Sequence, residues 1–151
     1  MPRLWAKTLD YDNVEVGDDL PILVKHESQE SIDLYAKLAS TAPRANWNNL
    51  HTDEEYAKQG IFGGTVNMGV ATVAYVAELL EKGFPLQKLT GPGSELEMRA
   101  TQPVRAGDTI TFTGQVTSKG EDDGQRWVEC EVTGTNQDEV VVARARARVP
   151  F

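Results

Sequence analysis

The stretch Val66–Gly83, VNMGVATVAYVAELLEKG, predicts a long and mostly buried helix at the centre of the fold. Its apolar residues recur at helical spacing: Val70, Val73, Ala74, Ala77 and Leu80. Several of these residues are small, so another layer of structure can approach the helix closely. The pattern ends at Gly83, since glycine commonly terminates a helix.

Strands are predicted on the C-terminal side of this helix. Four segments alternate apolar and polar residues over at least part of their length. They are Glu95–Val104, Asp108–Ser118, Arg126–Thr135 and Glu139–Val149. A short edge strand is predicted within Leu20–Val24, because the proline at position 21 is tolerable only at an edge. One long helix against a curved antiparallel sheet is an α+β architecture, and the uncovered part of such a sheet favours a dimer.

A hairpin turn is predicted at Asn136–Glu139, between the last two strands. Pairing across this turn would set Glu131 near Arg144 and Glu129 near Arg146. Cross-strand ion pairs on a solvated face then explain the arginines of the last strand. The alternative is that one of these arginines holds a ligand phosphate.

Two shorter helices are predicted from their N-terminal signals. Ser28 is a suitable N-cap for a helix that continues to about Ser40. Thr52 and Glu55 fit a capping box, which predicts a short helix starting at Asp53 and ending before residue 61.

Composition excludes several classes of protein. The 151 residues suit one domain. The formal net charge of −8 argues against nucleic-acid binding, which requires clustered basic residues. Cys130 is the only cysteine, so it cannot form an intrachain disulfide, and its strand position predicts a buried apolar residue. The sequence shows neither metal-ligand spacing nor a nucleophile elbow.

The N-terminal residues show no apolar signal run, and no apolar stretch approaches the length of a membrane span. These features predict a cytoplasmic protein without membrane association.

The polar run Asn46–Tyr56 is the leading candidate for a functional site. His51 can gain or lose a proton near neutral pH, which suits general acid/base work. Asn46, Asn48 and Asn49 can orient an imidazole ring or a water molecule by hydrogen bonding. The alternatives are a structural histidine that caps a loop and asparagines that serve turns. The second histidine, at position 26, is predicted to lie on the surface.

Glycines around the start of the long helix form a second candidate element: Gly63, Gly64 and Gly69. Backbone amides at a helix N-terminus favour negative charge. They would therefore stabilise a thioester carbonyl that becomes enolate-like. The alternative is a tight turn followed by close packing of the helix on the sheet.

Several short motifs together resemble one family. They are VGD at 16–18, HTDEEYA at 51–57, FGG at 62–64 and QPVRAGDT at 102–109. On these motifs, residues 14–149 resemble the MaoC-like, or (R)-specific enoyl-CoA hydratase, branch of the hotdog fold. The resemblance implies one domain over residues 1–151, with a curved antiparallel sheet wrapped around one long central helix and no cofactor.

The catalytic motif of that family is Asp-x-Asn-Pro-x-His. His51 takes its histidine position, Asn48 its asparagine position, and Asn49 its proline position. Its aspartate position holds Asn46, which can hold a water molecule but cannot accept its proton. A carboxylate from Asp53 or from the first long strand (Glu95 or Glu97) is a possible replacement.

The resemblance implies hydration or dehydration of an acyl thioester, carried by CoA or by acyl carrier protein. His51 would be the general acid/base, while Asn46 and Asn48 would orient water. Asn67, Gly64 and Gly69 would bind the substrate, with the Gly69 amide at the thioester oxygen. Basic residues at the rim, Arg99 or Arg105, would meet the CoA phosphates.

Two rival functions remain on the same fold. One is an acyl-CoA thioesterase. The other is a catalytically degenerate acyl-CoA-binding subunit that pairs with an active hotdog partner, as the asparagine at position 46 suggests. The predicted assembly is a homodimer or higher homo-oligomer, with a heteromer as the alternative.

Overall fold

The computed structural model describes residues 8–39 and 48–151, which form five β-strands and four α-helices. The strands are β1 (Leu23–His26), β2 (Glu95–Ala100), β3 (Thr109–Asp122), β4 (Gln125–Thr135) and β5 (Val141–Pro150). The helices are α1 (Gln29–Ala39), α2 (Glu54–Lys58), α3 (Gly69–Gly83) and α4 (Leu86–Leu89). The predicted α+β class is confirmed; the one-turn helix α4 was not predicted.

The strands form one antiparallel sheet in the order β1–β3–β4–β5–β2. The predicted edge strand therefore exists, but it lies at Leu23–His26, after Pro21 rather than around it. The predicted strand beginning at Glu95 stops at Ala100 instead of Val104. One reason is that the Val104 carbonyl accepts a hydrogen bond from the amide of Asn67 (2.7 Å) instead of pairing with a neighbouring strand.

Helix α3 packs one face against the sheet, and this face differs from the predicted one. The buried positions are Ala71, Thr72, Val76, Leu79, Leu80 and Gly83. Val70 is 59% exposed and Ala74 is also exposed, so the helix is half-buried in the single chain. The helical period was predicted correctly, but apolar residues occupy more than one side of α3, and the period alone does not choose between them. Within the two described ranges, no helix has the length and apolar character required to cross a bilayer.

The inner face of the sheet supplies the rest of the core. Phe112 on β3 and Val128 on β4 are fully buried beside residues of α3. Cys130 is also fully buried, as its strand position predicted. The core therefore lies between the sheet and α3, and it fixes the start of α3 relative to the strands.

The register of the β4–β5 hairpin corrects the prediction. Glu131 lies opposite Arg146 rather than Arg144. The connection is wider than predicted, because the Asn136 amide donates to the Val140 carbonyl (2.9 Å). The register also shifts at a bulge beside Gly134. Both features depend on backbone geometry that alternation of residue types does not specify.

Two of the three arginines on β5, Arg146 and Arg148, nonetheless form ion pairs on the outer face of the sheet. Glu129 lies opposite Arg148 in the register, yet its carboxylate accepts a hydrogen bond from Arg146 (2.7 Å). Arg148 also pairs with Asp122 on β3. Burial tends to raise the pKa of Glu129, but hydrogen bonds from Arg146 and Ser118 outweigh it and lower that pKa below its ordinary 4.5.

We predict that Glu129→Gln weakens the pH dependence of the free energy of unfolding in the acidic range. Because folding lowers the pKa of Glu129, its ionised carboxylate stabilises the fold above pH 4.5, and this contribution disappears as pH falls through the lowered value. The substitution should cost about 1 kcal/mol of unfolding free energy at pH 7, since Arg146 remains largely exposed. Urea denaturation at pH 7 and pH 3 measures both values; an equal loss at the two pH values would contradict the assignment.

Candidate active site

The short helix α2 begins with a cap that differs from the predicted one. Asp53, not Thr52, is the N-cap, and its carboxylate accepts the Tyr56 amide (3.0 Å). The Thr52 hydroxyl is engaged elsewhere, because it accepts a hydrogen bond from the Asn49 side chain (2.8 Å). His51 thus lies just outside the helix, on the loop side, as predicted.

Asn49 fixes the backbone of the loop that carries His51. Its side-chain oxygen accepts hydrogen bonds from the amides of His51 (2.8 Å) and Thr52 (3.0 Å). Asn49 itself is 6% exposed, and both bonds are partly buried. The sequence interpretation assigned this asparagine to orienting the imidazole or water, whereas in the structure it binds the backbone that carries the imidazole.

The His51 ring is held by the segment that leads into α3. Its Nδ1 atom lies 2.9 Å from the Val66 carbonyl oxygen. A carbonyl can only accept a hydrogen bond, so Nδ1 must carry the proton. In a neutral imidazole this leaves Nε2 unprotonated and able to accept a proton.

Gln29, the first residue of α1, connects the two segments of the site. Its Nε2 atom donates to the His51 carbonyl (2.8 Å), and its Oε1 atom accepts from the Thr65 hydroxyl (2.8 Å). A further backbone bond joins the Val66 amide to the Leu50 carbonyl (3.1 Å). Gln29 was not among the predicted site residues, because no local pattern reveals that its side chain joins two distant segments.

A cavity of about 290 Å³ opens beside His51. It is lined by the two segments just described, by the start of α3 and by the link after β2. The lining residues are Leu50, His51, Phe62, Val66, Asn67, Gly69, Thr72, Ala100, Thr101, Gln102, Pro103, Val104 and Val142. His51 is the only ionisable side chain among these described residues, so an otherwise mainly apolar cavity faces one acid/base group.

The start of α3 lines this cavity through Gly69. The Met68 amide is engaged by the Asn67 side-chain oxygen (2.8 Å). Gly69, the first helical residue, follows it, and a first-turn amide has no acceptor within its own helix. A Cβ atom added at Gly69 would meet nothing within 4 Å, so there is open space beside this backbone.

The structure brings together His51, Asn67 and Gly69 among the predicted site residues. Asn48 is exposed and lies outside the cavity lining. Asn46 lies outside the described residues. Gly64 does not line the cavity and packs instead toward Arg105.

The other candidates lie away from the cavity lining. The proposed replacement carboxylates, Asp53, Glu95 and Glu97, are all absent from it. Arg99 lies in a groove on the outer face of the sheet. Arg105, in the link after β2, donates to the Phe62 carbonyl (2.6 Å). This hydrogen bond joins that link to the loop whose Phe62 lines the cavity.

The surface histidine is confirmed. His26 is exposed at the end of β1, and its Nδ1 atom lies 2.9 Å from the Thr109 hydroxyl oxygen. His26 is therefore a suitable control for substitutions of His51, since it has the same imidazole ring outside the cavity.

Comparisons with known proteins agree on the family of this chain. The family model of the MaoC like domain matches residues 12–139. A comparison with curated proteins gave no match.

Among solved structures, the MaoC-like dehydratase from Rhodospirillum rubrum is 28% identical, with a TM-score of 0.73 over 93% of this chain and 94% of that chain. The (R)-hydratase from A. caviae involved in PHA biosynthesis is 24% identical, with a TM-score of 0.69 over 91% and 96%. The ChsH1–ChsH2 complex from Mycobacterium tuberculosis is 21% identical, with a TM-score of 0.67 over 91% and 98%.

The matched range contains His51, the start of α3 and most of the sheet. The similar structures extend over nearly all of this chain, and they confirm the hotdog fold that the sequence motifs predicted. The chain belongs to the MaoC-like domain family.

Proposed function

We propose that this protein adds water to, or removes water from, an acyl thioester, with His51 as the general acid/base. Family membership and the 28% identical dehydratase support a hydratase- or dehydratase-type function. The main support for this role of His51 is the hydrogen bond between its Nδ1 atom and the Val66 carbonyl oxygen. This bond leaves Nε2 as the proton acceptor in a cavity with no other described ionisable side chain.

Hydration on this site would proceed through one histidine. As the oxygen of a water molecule bonds to the β-carbon of the enoyl group, Nε2 of His51 accepts a proton from that water. The π bond between the α- and β-carbons breaks, and its electrons move toward the thioester oxygen. The resulting imidazolium then donates a proton to the α-carbon, which restores neutral His51. Dehydration is the reverse of these steps.

The start of α3 would stabilise the charge that develops on the thioester oxygen. The Gly69 amide is one donor, at the positive end of a 15-residue helix. Asn67 provides a second polar group in the same lining. In this proposal Asn46 orients the water molecule without taking its proton, whereas Asn48, which lies outside the cavity lining, takes no part.

The substrate class follows from the shape and polarity of the cavity. A volume of about 290 Å³ accommodates a thioester and part of an acyl chain, but not a whole coenzyme. We therefore place the carrier, CoA or acyl carrier protein, outside the cavity, with Arg105 as a candidate for meeting its phosphates. A cytoplasmic location is part of the same proposal.

The direct test is a hydration assay with purified protein and crotonyl-CoA. The reaction is monitored as the loss of the enoyl-thioester absorbance. A longer and a branched enoyl-CoA extend the range of acyl groups. Parallel detection of free thiol distinguishes the thioesterase alternative, because hydrolysis releases CoA whereas hydration does not. Hydrolysis without hydration would contradict the proposed reaction.

A degenerate binding subunit is the second candidate function. Two observations favour it: the asparagine at position 46, and the absence of Asp and Glu from the described cavity lining. This alternative predicts that butyryl-CoA binds while no enoyl-CoA is turned over. Turnover would then require co-expression with a second hotdog subunit.

We predict a homodimer. Strand β2 is an edge strand on which five of the six residues are exposed, including Leu96 at 38%. An exposed edge presents unpaired backbone donors and acceptors that a second chain can satisfy. Sedimentation equilibrium should give twice the chain mass of 16.6 kDa or a higher multiple. Leu96→Asp should shift the population toward monomer, and a monomeric wild type would contradict the prediction.

A further inference from the structure

The glutamine that joins the two segments of the site uses both polar atoms of its side chain. The Nε2 atom of Gln29 donates to the His51 carbonyl (2.8 Å) and to Oδ1 of Asp33 (2.8 Å), and its Oε1 atom accepts from the Thr65 hydroxyl (2.8 Å). A carbonyl and an ionised carboxylate can only accept, so both require the NH₂ group of the amide. The partners of Gln29 therefore determine the orientation of its amide.

Gln29 extends from a helix that is anchored in the protein. On α1, Ile32 is fully buried and Ala36 is 5% exposed. Gln29 itself is absent from the cavity lining, so it does not contact a substrate bound there. Any influence of Gln29 on the reaction must pass through the residues that it binds.

The two segments that Gln29 joins are those that must stay together for Nδ1 of His51 to keep its proton. One segment carries the ring, and the other carries the Val66 carbonyl oxygen, 2.9 Å from Nδ1. Gln29 binds the backbone of His51 itself and the side chain of Thr65, which directly precedes Val66. A backbone bond from Val66 to Leu50 also joins the segments, so loss of Gln29 should loosen them without separating them.

A loosened contact changes what the His51 ring can do. When the Val66 oxygen withdraws, Nδ1 loses its fixed acceptor, and a neutral ring can carry its proton on either nitrogen. With the proton on Nε2, that atom is a donor and cannot accept a proton from water. The fraction of protein ready for the reaction then falls, although every proposed catalytic atom is still present.

We propose that Gln29 is a positioning residue that keeps the His51 ring in the tautomer with an unprotonated Nε2 atom. The inference rests on the proposed function, because only a proton-accepting His51 gives this tautomer a consequence for catalysis. The tautomer is nevertheless a property of the folded protein, so it can be measured whether or not the protein turns over a substrate.

NMR of ¹⁵N-labelled protein measures the tautomer directly. Protonated and unprotonated nitrogens of a neutral imidazole differ widely in chemical shift, and spectra at alkaline pH observe the neutral ring. The chain has two histidines, so His26→Ala assigns the signals of His51 in protein without a histidine tag. In wild type we expect Nδ1 of His51 at the protonated position. In Gln29→Met both ring nitrogens should move toward the average of two exchanging tautomers.

Gln29→Met removes all three hydrogen bonds and keeps the length of the side chain. We expect kcat with crotonyl-CoA to fall roughly five- to tenfold, the effect of about one hydrogen bond on a rate, with KM less affected. Gln115→Met is the matched control, because Nε2 of Gln115 also donates to a carbonyl, of Gly17 (3.1 Å), and to a carboxylate, of Asp19 (3.3 Å), outside the cavity lining. This control should leave kcat and the His51 signals unchanged.

Two further variants test each end of the bridge. In Gln29→Glu an ionised carboxylate keeps an acceptor for the Thr65 hydroxyl but has no hydrogen for the His51 carbonyl, so its effects should equal or exceed those of Gln29→Met. Thr65→Val removes the hydroxyl at the other end with little change of shape, and it should shift the His51 tautomers in the same direction. Thr65→Val also supplies the readout if Gln29→Met does not fold, which a thermal melt determines.

The outcomes separate this inference from the proposed function. An unchanged His51 tautomer in the folded Gln29 and Thr65 variants would overturn the positioning role, whether or not the wild type hydrates crotonyl-CoA. An equal shift in Gln115→Met would also overturn it. A shift confined to the Gln29 and Thr65 variants supports it. If that shift occurs while kcat stays at the wild-type level, His51 is not the base, and the proposed mechanism fails while the assignment of Gln29 to the tautomer stands.

Discussion

His51→Ala should lower kcat for the hydration of crotonyl-CoA by about 10²- to 10⁴-fold, the range that general acid/base catalysis contributes. The loss should fall on kcat more than on KM, since the imidazole moves a proton and the cavity supplies most of the binding. The fold should tolerate the change, because the ring contributes one hydrogen bond, to Val66, while the backbone bonds of this loop remain. Initial rates and a thermal melt measure the two effects.

Two further variants make this result specific. His26→Ala removes the other histidine of the chain, which is exposed and lies outside the cavity lining, so its kcat should remain at the wild-type level. His51→Gln keeps a polar side chain but no group that titrates near neutral pH, and it should be as inactive as His51→Ala. Substantial turnover in either His51 variant would show that another group takes the proton from water.

Asn46→Asp follows from the same reasoning. In the family motif an aspartate at this position shares proton transfer with the histidine, and here an asparagine stands there. A higher kcat in Asn46→Asp than in wild type would show that a carboxylate at this position adds to the catalysis by His51.

The fold was predictable from sequence to the extent that periodicity determines it. Alternation located β3, β4 and β5 to within a few residues, and the apolar helical period located α3. Periodicity could not determine which face of α3 is buried, since Val70 and Val76 are equally apolar and only one of them meets the sheet. The hairpin register also escaped prediction, because a bulge and a wide turn change the pairing without changing the alternation.

The candidate site was also predictable only in part. His51 and Gly69 were identified by residue type and by their place in short motifs, and both line the cavity. The role of Gln29 could not be predicted, since its side chain binds residues more than 20 positions away. Such tertiary contacts leave no mark on the local sequence.

Asn49→Ala should be the most damaging change near the site that leaves all proposed catalytic atoms in place. It removes the acceptor for the His51 and Thr52 amides and the donor to the Thr52 hydroxyl. These bonds are partly buried, and losing a hydrogen bond of this kind costs about 1 kcal/mol, so the free energy of unfolding should fall by about that amount. Because the same bonds position the His51 backbone, kcat should also fall by about tenfold or more.

Asn49→Asp separates the two contributions of this side chain. An aspartate retains an oxygen acceptor for both amides and loses the donor to the Thr52 hydroxyl, so its stability and kcat should lie between those of wild type and Asn49→Ala. Asn48→Ala is the neighbouring control for stability, because Asn48 is exposed and its truncation should leave the melting temperature unchanged. Urea denaturation and kcat are measured on all three variants. If Asn49→Ala unfolded at the wild-type urea concentration and retained wild-type kcat, the two amide bonds would not be what holds His51 in place, and the bonds from Gln29 and Val66 would have to suffice.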